Sequence, residues 1–328
     1  CIRFNHFTNK GFALFSCLGK EVIIGILSVA TLSNAQAKGI STDVQKADTS
    51  LYKSGQPTLL DEVKVTGSRA PLTQSQQSRM VTVLSRKDVN AAPVHSVNDL
   101  LKLVSGVDVR QRGPLGAQTD VSIRGGNYEQ MTVLLNGINI GDPQTGHNAF
   151  DFPVDISEIE RIEILEGPAA SVYGTSSLLG AINIVTKANR TSNVTLHAAS
   201  GSFGSVTSGG RINVARGKWN NQLSGSFMRT DGYNRNKAGA LNTDFRSQKA
   251  FYQGFYDDDD LSISWHAGLS NKDFGSSTNY SSKYDDQFEH TFKTYTAVQA
   301  ETRKGAVKWR PAIYWNHNYD RFELFRDH

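Results

Sequence analysis

Residues Leu261–Ser270 alternate without a break. Leu261, Ile263, Trp265, Ala267 and Leu269 fall on one face, and Ser262, Ser264, His266, Gly268 and Ser270 on the other. A period of two is the signature of a strand, because successive side chains point to opposite faces. The length constrains as much as the pattern. Strands of soluble sandwiches average about 5–6 residues, whereas a tilted strand crossing a bilayer needs about 9–11. Val307, Trp309, Ile313 and Trp315 repeat the arrangement against Lys308, Arg310 and Asn316, and Val194–Ala198, Leu223–Phe227 and Tyr295–Ala300 are weaker copies. Connections alternate in length, one end of the strands carrying long ones: Arg216–Asn221, Asp257–Asp260 and Arg303–Gly305 are short, and Gly232–Arg246 and Gly275–His290 are long and polar. Apolar-out, polar-in strands joined in this way fit a transmembrane barrel. A soluble sandwich also alternates and is the competing architecture.

Composition divides the chain in two. Of the 31 Phe, Trp and Tyr, residues 190–328 carry 22, so the alternating region differs in kind from what precedes it. Charged residues at 20%, a net charge of +4 and a mean hydropathy of −0.40 argue against a helical-bundle membrane protein and against a basic nucleic-acid-binding arm. Both cysteines, Cys1 and Cys17, precede an apolar run from Val22 to Leu32. Lys20 stands before that run and Ala35-Gln36-Ala37 after it. Basic, apolar, then A-x-A reads as a secretory signal peptide over 1–37, with a buried helix as the bland alternative. Residues 38–59 are polar and aperiodic and read as a flexible linker. In 60–69, Val63 and Val65 make a short alternating core: an edge strand, or a peptide that adds to another protein's sheet.

Between about 79 and 187 short strands and helices mix. Ser85 with Asp88, and Ser96 with Asp99, have the spacing of helix N-caps with a carboxylate at the third helical position. The second opens a helix over Val97–Val104 with Leu100, Leu101 and Val104 on one face. Strands are expected at Met80–Leu84, Val107–Val109, Val121–Arg124, Thr132–Leu135, Arg161–Leu165 and Ala181–Thr186. This is a small α+β domain, interrupted by two long irregular stretches at 110–119 and 141–154 that suggest functional loops.

Five motifs in order carry a resemblance: Leu103–Val109, Val121–Gly125, Val133–Ile138 with Asn136 where an Asp is usual, Ile159–Pro168, and Val172-Tyr173-Gly174 followed by Gly180–Ile184. Together they resemble the plug of a TonB-dependent outer-membrane receptor. The resemblance implies an α+β plug domain (70–190) followed by the first strands of an antiparallel transmembrane β-barrel (191–328), which is 22-stranded in full-length members. Seven strands are expected after 191, with an eighth beginning at Tyr319–Phe325, so the chain reads as an N-terminal fragment. The plug-motif residues are Arg124, Gly125, Glu163, Glu166, Gly167, Tyr173 and Gly174; their charges are expected to pair with each other or with the wall.

The resemblance further implies active import with no covalent chemistry. Region 60–69 then holds the TonB box, Asp61, Glu62, Val63, Lys64, Val65 and Thr66, which pairs as a strand with TonB, itself driven by an inner-membrane energising complex. The apical loops would contribute Gln111, Arg112, Gln118, Thr119, Gln144, Thr145, His147, Asn148 and Phe150 to substrate binding. Their amides and hydroxyls, without an arginine cluster, suit a neutral polar ligand. The early barrel loops resemble those of cobalamin receptors, which makes cobalamin the first expectation and a ferric siderophore the second. Asp231, Asp244, Asp285, Asp286 and Glu289 are candidate calcium ligands, since oxygen clusters suit calcium; no cofactor is otherwise required. Expected partners are TonB, the small ligand, lipid of a Gram-negative outer membrane and a candidate surface lipoprotein, with no nucleic acid. A secreted β-rich adhesin is the alternative from another class. No nucleophile triad, carboxylate pair or His-rich metal spacing points to an enzyme.

Overall fold

The computed structural model describes residues 64–65, 72–73, 81–94, 96–111, 118–126, 128–142, 150–167, 178–186, 190–233, 242–277 and 280–327. The expected signal peptide and linker lie outside the described residues. So do Asp61, Glu62, Val63 and Thr66 of the expected TonB box. The backbone of β1 (Lys64–Val65) pairs antiparallel with β2 (Leu72–Thr73), so the middle of that box takes an extended conformation.

The α+β domain follows from local signals the sequence carries. Ser85 caps α1 (Arg86–Ala91) with both halves of a capping box: its hydroxyl accepts from the Asp88 N–H, and the Asp88 carboxylate accepts from the Ser85 N–H at 2.8 Å. Ser96 caps α2 (Val97–Leu101), whose Leu100 and Leu101 are buried together with Val104 just beyond it. Such caps contribute about 1 kcal/mol each. Around the helices lie β3 (Val81–Leu84), β4 (Val107–Gln111), β5 (Thr119–Ile123), β6 (Met131–Leu135), β7 (Ile138–Asn139), β8 (Ile159–Glu166) and β9 (Gly180–Thr186). They form a five-stranded sheet in the order β3-β8-β9-β6-β7, with β6 and β9 parallel, and a separate β4–β5 hairpin. Asn136 and Gly137 join β6 to β7 as a two-residue turn with both φ positive, 52° and 81°. Asn-Gly is the preferred pair for such a hairpin, because both residues tolerate the left-handed region. The apolar faces of this sheet and α2 make one core in which Leu101, Val121, Val154, Ile162, Ile164 and Ile182 have almost no exposure.

After residue 192 seven strands run in sequence order, each antiparallel to its neighbours: β10 (Asn193–Gly201), β11 (Ser205–Arg216), β12 (Trp219–Thr230), β13 (Phe245–Asp257), β14 (Leu261–Ser277), β15 (Gln287–Thr302) and β16 (Ala312–Glu323). Three of the sequence expectations are corrected. Val307 and Trp309 lie in the turn before β16, because Pro311 lacks the N–H that would extend the ladder. Tyr319 begins no eighth strand but continues β16. The first connection at the long-loop end, 202–204, is short.

The wall inverts the usual burial rule. Its outward face is apolar and exposed: Leu196 is 79% and Ile313 80% accessible, with Ile212, Leu223, Val298 and Trp315 beside them. Its inward face is polar and covered by the plug: Asn213, Gln222, Gln253, His266, Ser270 and Lys293 are all buried. Only where the wall meets the plug core do Phe251, Tyr295 and Ala297 join the main apolar cluster. At Gly268 the two parts approach so closely that a Cβ would lie 2.9 Å from the Pro153 Cβ. No described helix is long and apolar enough to cross a membrane, a statement that bears on helices alone.

Candidate ligand cleft and the plug–wall interface

At the long-loop end, the β4–β5 hairpin presents Gln111 and Thr119 as cross-strand partners. Lys102 Nζ donates to Gln111 Oε1 at 3.1 Å, and Asn98 Nδ2 to Thr119 Oγ1 at 3.1 Å. Gln118 is 1% exposed, yet it reaches the wall: the Tyr280 hydroxyl lies 2.7 Å from Gln118 Oε1 and 3.0 Å from Glu289 Oε2, one donor between two acceptors. Gln118 Nε2 is buried without a hydrogen-bond partner. Beside it a cleft runs between the plug and strands β11–β14, bordered by Asn98, Gln111, Phe150 and Asp151 on one side and Lys249 and Lys272 on the other. Phe150 is itself 4% exposed and packs edge-on against Phe152 at 6.0 Å, so the structure makes it chiefly a core residue. Arg112, Gln144, Thr145, His147 and Asn148 lie outside the described residues.

Asp151 anchors the plug to the wall. Ser270 Oγ donates to its Oδ1 at 3.0 Å, Thr291 Oγ1 to its Oδ2 at 3.3 Å, and Lys272 Nζ stands 3.9 Å away. Register places Lys249, Ser270 and Lys293 in one row across β13, β14 and β15. Burial opposes the charged form of Asp151, but Lys272, Lys249 and Lys293 outweigh it and hold the carboxyl below its ordinary range.

The plug-motif charges pair, as expected, though mostly within the plug. Arg124 meets Glu166 at 2.6 Å. Arg161 meets Glu163 at 2.8 Å; Asn183 donates to the other Glu163 oxygen and accepts from the Gly137 N–H, both at 2.9 Å. Arg124 sits at φ 52° in the turn before Gly125, a conformation unfavourable for a long side chain. Gly125 and Gly167 have positive φ as well; Tyr173 and Gly174 lie outside the described residues. One carboxylate does meet the wall. Glu158 is fully buried, bonded to Gln222 and 3.9 Å from Arg211. Burial pushes its carboxyl up to about 7, with Arg211 acting against that rise.

The five candidate calcium ligands do not converge. Arg326 holds Asp244 with two bonds of 2.8 and 3.0 Å, and its backbone N–H donates to the Asp286 carbonyl at 3.1 Å. Asp231 pairs with Arg229 at 2.8 Å, the Asp285 carbonyl accepts from Asn242, and Glu289 faces Tyr280. Among the described residues no group of three or more His, Cys, Asp or Glu is placed to hold a metal. An arginine closes these loops instead. Arg326, Asp151, the wall lysines and Glu158 were all missed by sequence reasoning. Inward-facing lysines in otherwise amphipathic strands were the one available signal.

Residues 73–181 match the family model described as TonB-dependent Receptor Plug Domain. The chain is 28% identical over 242 residues to a protein named Vitamin B12 transporter BtuB from Vibrio vulnificus (strain CMCP6), covering 70% of this chain and 39% of that one. Its fold resembles the ferric yersiniabactin uptake receptor FyuA of Yersinia pestis, with a TM-score of 0.61 at 16% identity over 74% of this chain and 41% of that one. It also resembles the alcaligin outer membrane receptor FauA of Bordetella pertussis, with a TM-score of 0.60 at 16% identity over 80% and 42%. The chain thus spans about two-fifths of the length of the relatives it matches. By sequence residues 73–181 match the TonB-dependent receptor plug domain, and the strands after it share the fold of the first barrel strands of the receptors named above.

Proposed function

We propose that this chain supplies the plug and first barrel strands of a receptor that imports cobalamin across the outer membrane of a Gram-negative bacterium. TonB delivers the energy through the Asp61–Thr66 box. The observation that carries the ligand is the sequence relationship to a vitamin B12 transporter over 70% of this chain. The cleft is compatible with it: Gln111 and Asn98 offer amides beside the Phe150 ring. The outward face of the wall contacts lipid, and a surface lipoprotein remains a candidate partner. The adhesin alternative is not carried further, because it gives no role to a plug domain.

A ferric siderophore is the second reading. Lys249 and Lys272 on the cleft wall favour it, since cations suit an anionic chelate. Asp151 sits among those lysines and offsets part of their charge, and the sequence relationship keeps cobalamin first. The test is a cyanocobalamin titration of the full-length, detergent-purified receptor, with calcium and again with chelator. Saturable submicromolar binding supports the cobalamin reading. Absence of binding in both buffers removes cobalamin and moves the ligand to the ferric chelate.

A further inference from the structure

Strand β8 carries one irregularity, and it lies where a cavity of about 370 Å³ separates the plug sheet from the wall. The β8–β9 ladder slips between Ile159 and Arg161. In a regular strand Glu160 and Arg161 would point to opposite faces; at this bulge both line the same cavity. Bulges re-aim side chains in this way and are over-represented beside functional sites. Across the cavity stand Phe255, Ser264 and His266. Phe255 and Ser264 are cross-strand partners near the 258–260 turn, so the cavity lies at the short-turn end, away from the ligand cleft.

His266 is 3% exposed, and neither ring nitrogen has a hydrogen-bond partner. Glu160 Oε2 is likewise buried without one. Phe251 stacks on the imidazole at 6.1 Å with a 20° tilt, and Phe255 meets it edge-on at 6.0 Å. A buried polar atom left unsatisfied costs about 1–3 kcal/mol, so three around one cavity call for a partner. A neutral imidazole offers one donor and one acceptor, and a carboxylate accepts only. The two ring nitrogens point apart, so one group reaches only one of them; the two N–H donors of a primary carboxamide can bridge Glu160 Oε2 and that nitrogen, while Phe255 accommodates a flat apolar ring. We infer that this cavity is a second binding site, for a neutral group bearing a primary carboxamide, with Glu160 and His266 as its polar contacts. The inference rests on the import reading only for the identity of the natural ligand.

Nicotinamide, a flat ring with one primary carboxamide, is a suitable probe, and nicotinic acid is its anionic control. The full-length receptor would be labelled in its histidine rings and followed by NMR, with His266→Gln assigning the relevant signal. The expected result is a saturable shift of the His266 signal by nicotinamide, in the millimolar range of so small a ligand. The shift should weaken about tenfold in Glu160→Ala, the loss of roughly 1.4 kcal/mol expected of one hydrogen bond to a charged group. Nicotinic acid should shift the signal far less, because its carboxylate has no N–H to give Glu160, and Arg161, the cation lining the cavity, is held by Glu163. No nicotinamide shift, or an equal one with nicotinic acid, overturns the site. Failure of the cyanocobalamin titration leaves this test untouched.

Discussion

The plug and the wall use the same alternation to opposite ends. In the plug, Ile162 and Ile164 turn inward to a dry core, while Arg161 and Glu163 pair along the other face of β8. In β14, Trp265 faces outward while His266, Ser270 and Lys272 are buried against the plug. Alternation thus states that a strand has two unlike faces, and the surroundings decide which face is apolar. The difference also assigns roles under the import reading: a domain with its own core can move as a body, and a wall with a polar lining can remain behind.

The largest effect expected tests that division. Val65→Pro removes a ladder donor from the segment through which TonB would pull the plug. Energised uptake should fall to background while equilibrium ligand binding stays intact; normal uptake by the variant would show that the plug is not pulled there. Next comes the anchor between the two parts. Asp151→Ala takes from Lys249, Lys272 and Lys293 the carboxylate they share, and breaking such a buried set costs about 3–5 kcal/mol. Urea-induced loosening of the plug, read by protease access, should shift to lower denaturant, whereas Leu196→Ala on the exposed outer face should not move it.

The third prediction concerns pH. The folded-state pKa of Glu158 is raised from an ordinary 4.5 to about 7. The folded chain therefore binds more protons than the unfolded one between those values, and the contribution is fully present below about pH 4.5 and lost as pH rises through about 7. Docking of the plug should weaken by up to roughly 1.4 kcal/mol per pH unit across that window. Glu158→Gln should flatten the profile, and an unchanged slope would place the titration elsewhere. The smallest effect is at the outer loops. Changing Asp285 and Asp286 to Ala should leave ligand affinity the same in calcium and in chelator, because these carboxylates do not converge; a fall confined to calcium would put a metal there. Equal affinity in both would leave Arg326, not a metal, as what closes these loops.

Much of the fold was legible because it is local. The Ser85 and Ser96 caps and the alternation of β14 each lie within a few consecutive residues, and each appears as read. The candidate site was legible in its residue types but not in its pairings. Tyr280 meets Gln118 across 162 positions, and Ser270 and Thr291 meet Asp151 across 119 and 140. No spacing rule reaches that far. The bulge at Glu160 escaped for a different reason: a one-residue slip leaves the residue types of a strand unchanged and alters only which way they face.

The polar lining of the wall has a mechanical consequence. Pulling apart two apolar surfaces costs about 25 cal/mol for every Å² exposed, with no compensation from water. A hydrogen-bonded joint behaves otherwise, since each broken bond is replaced by one to water and the net loss is only about 1 kcal/mol. Among the described residues the wall adds only Phe251, Tyr295 and Ala297 to the plug's main apolar core, so the rest of the inner wall has the character of a slip plane. It holds the plug through many directional contacts that water can take over one at a time, so a modest, sustained force suffices to part them in sequence.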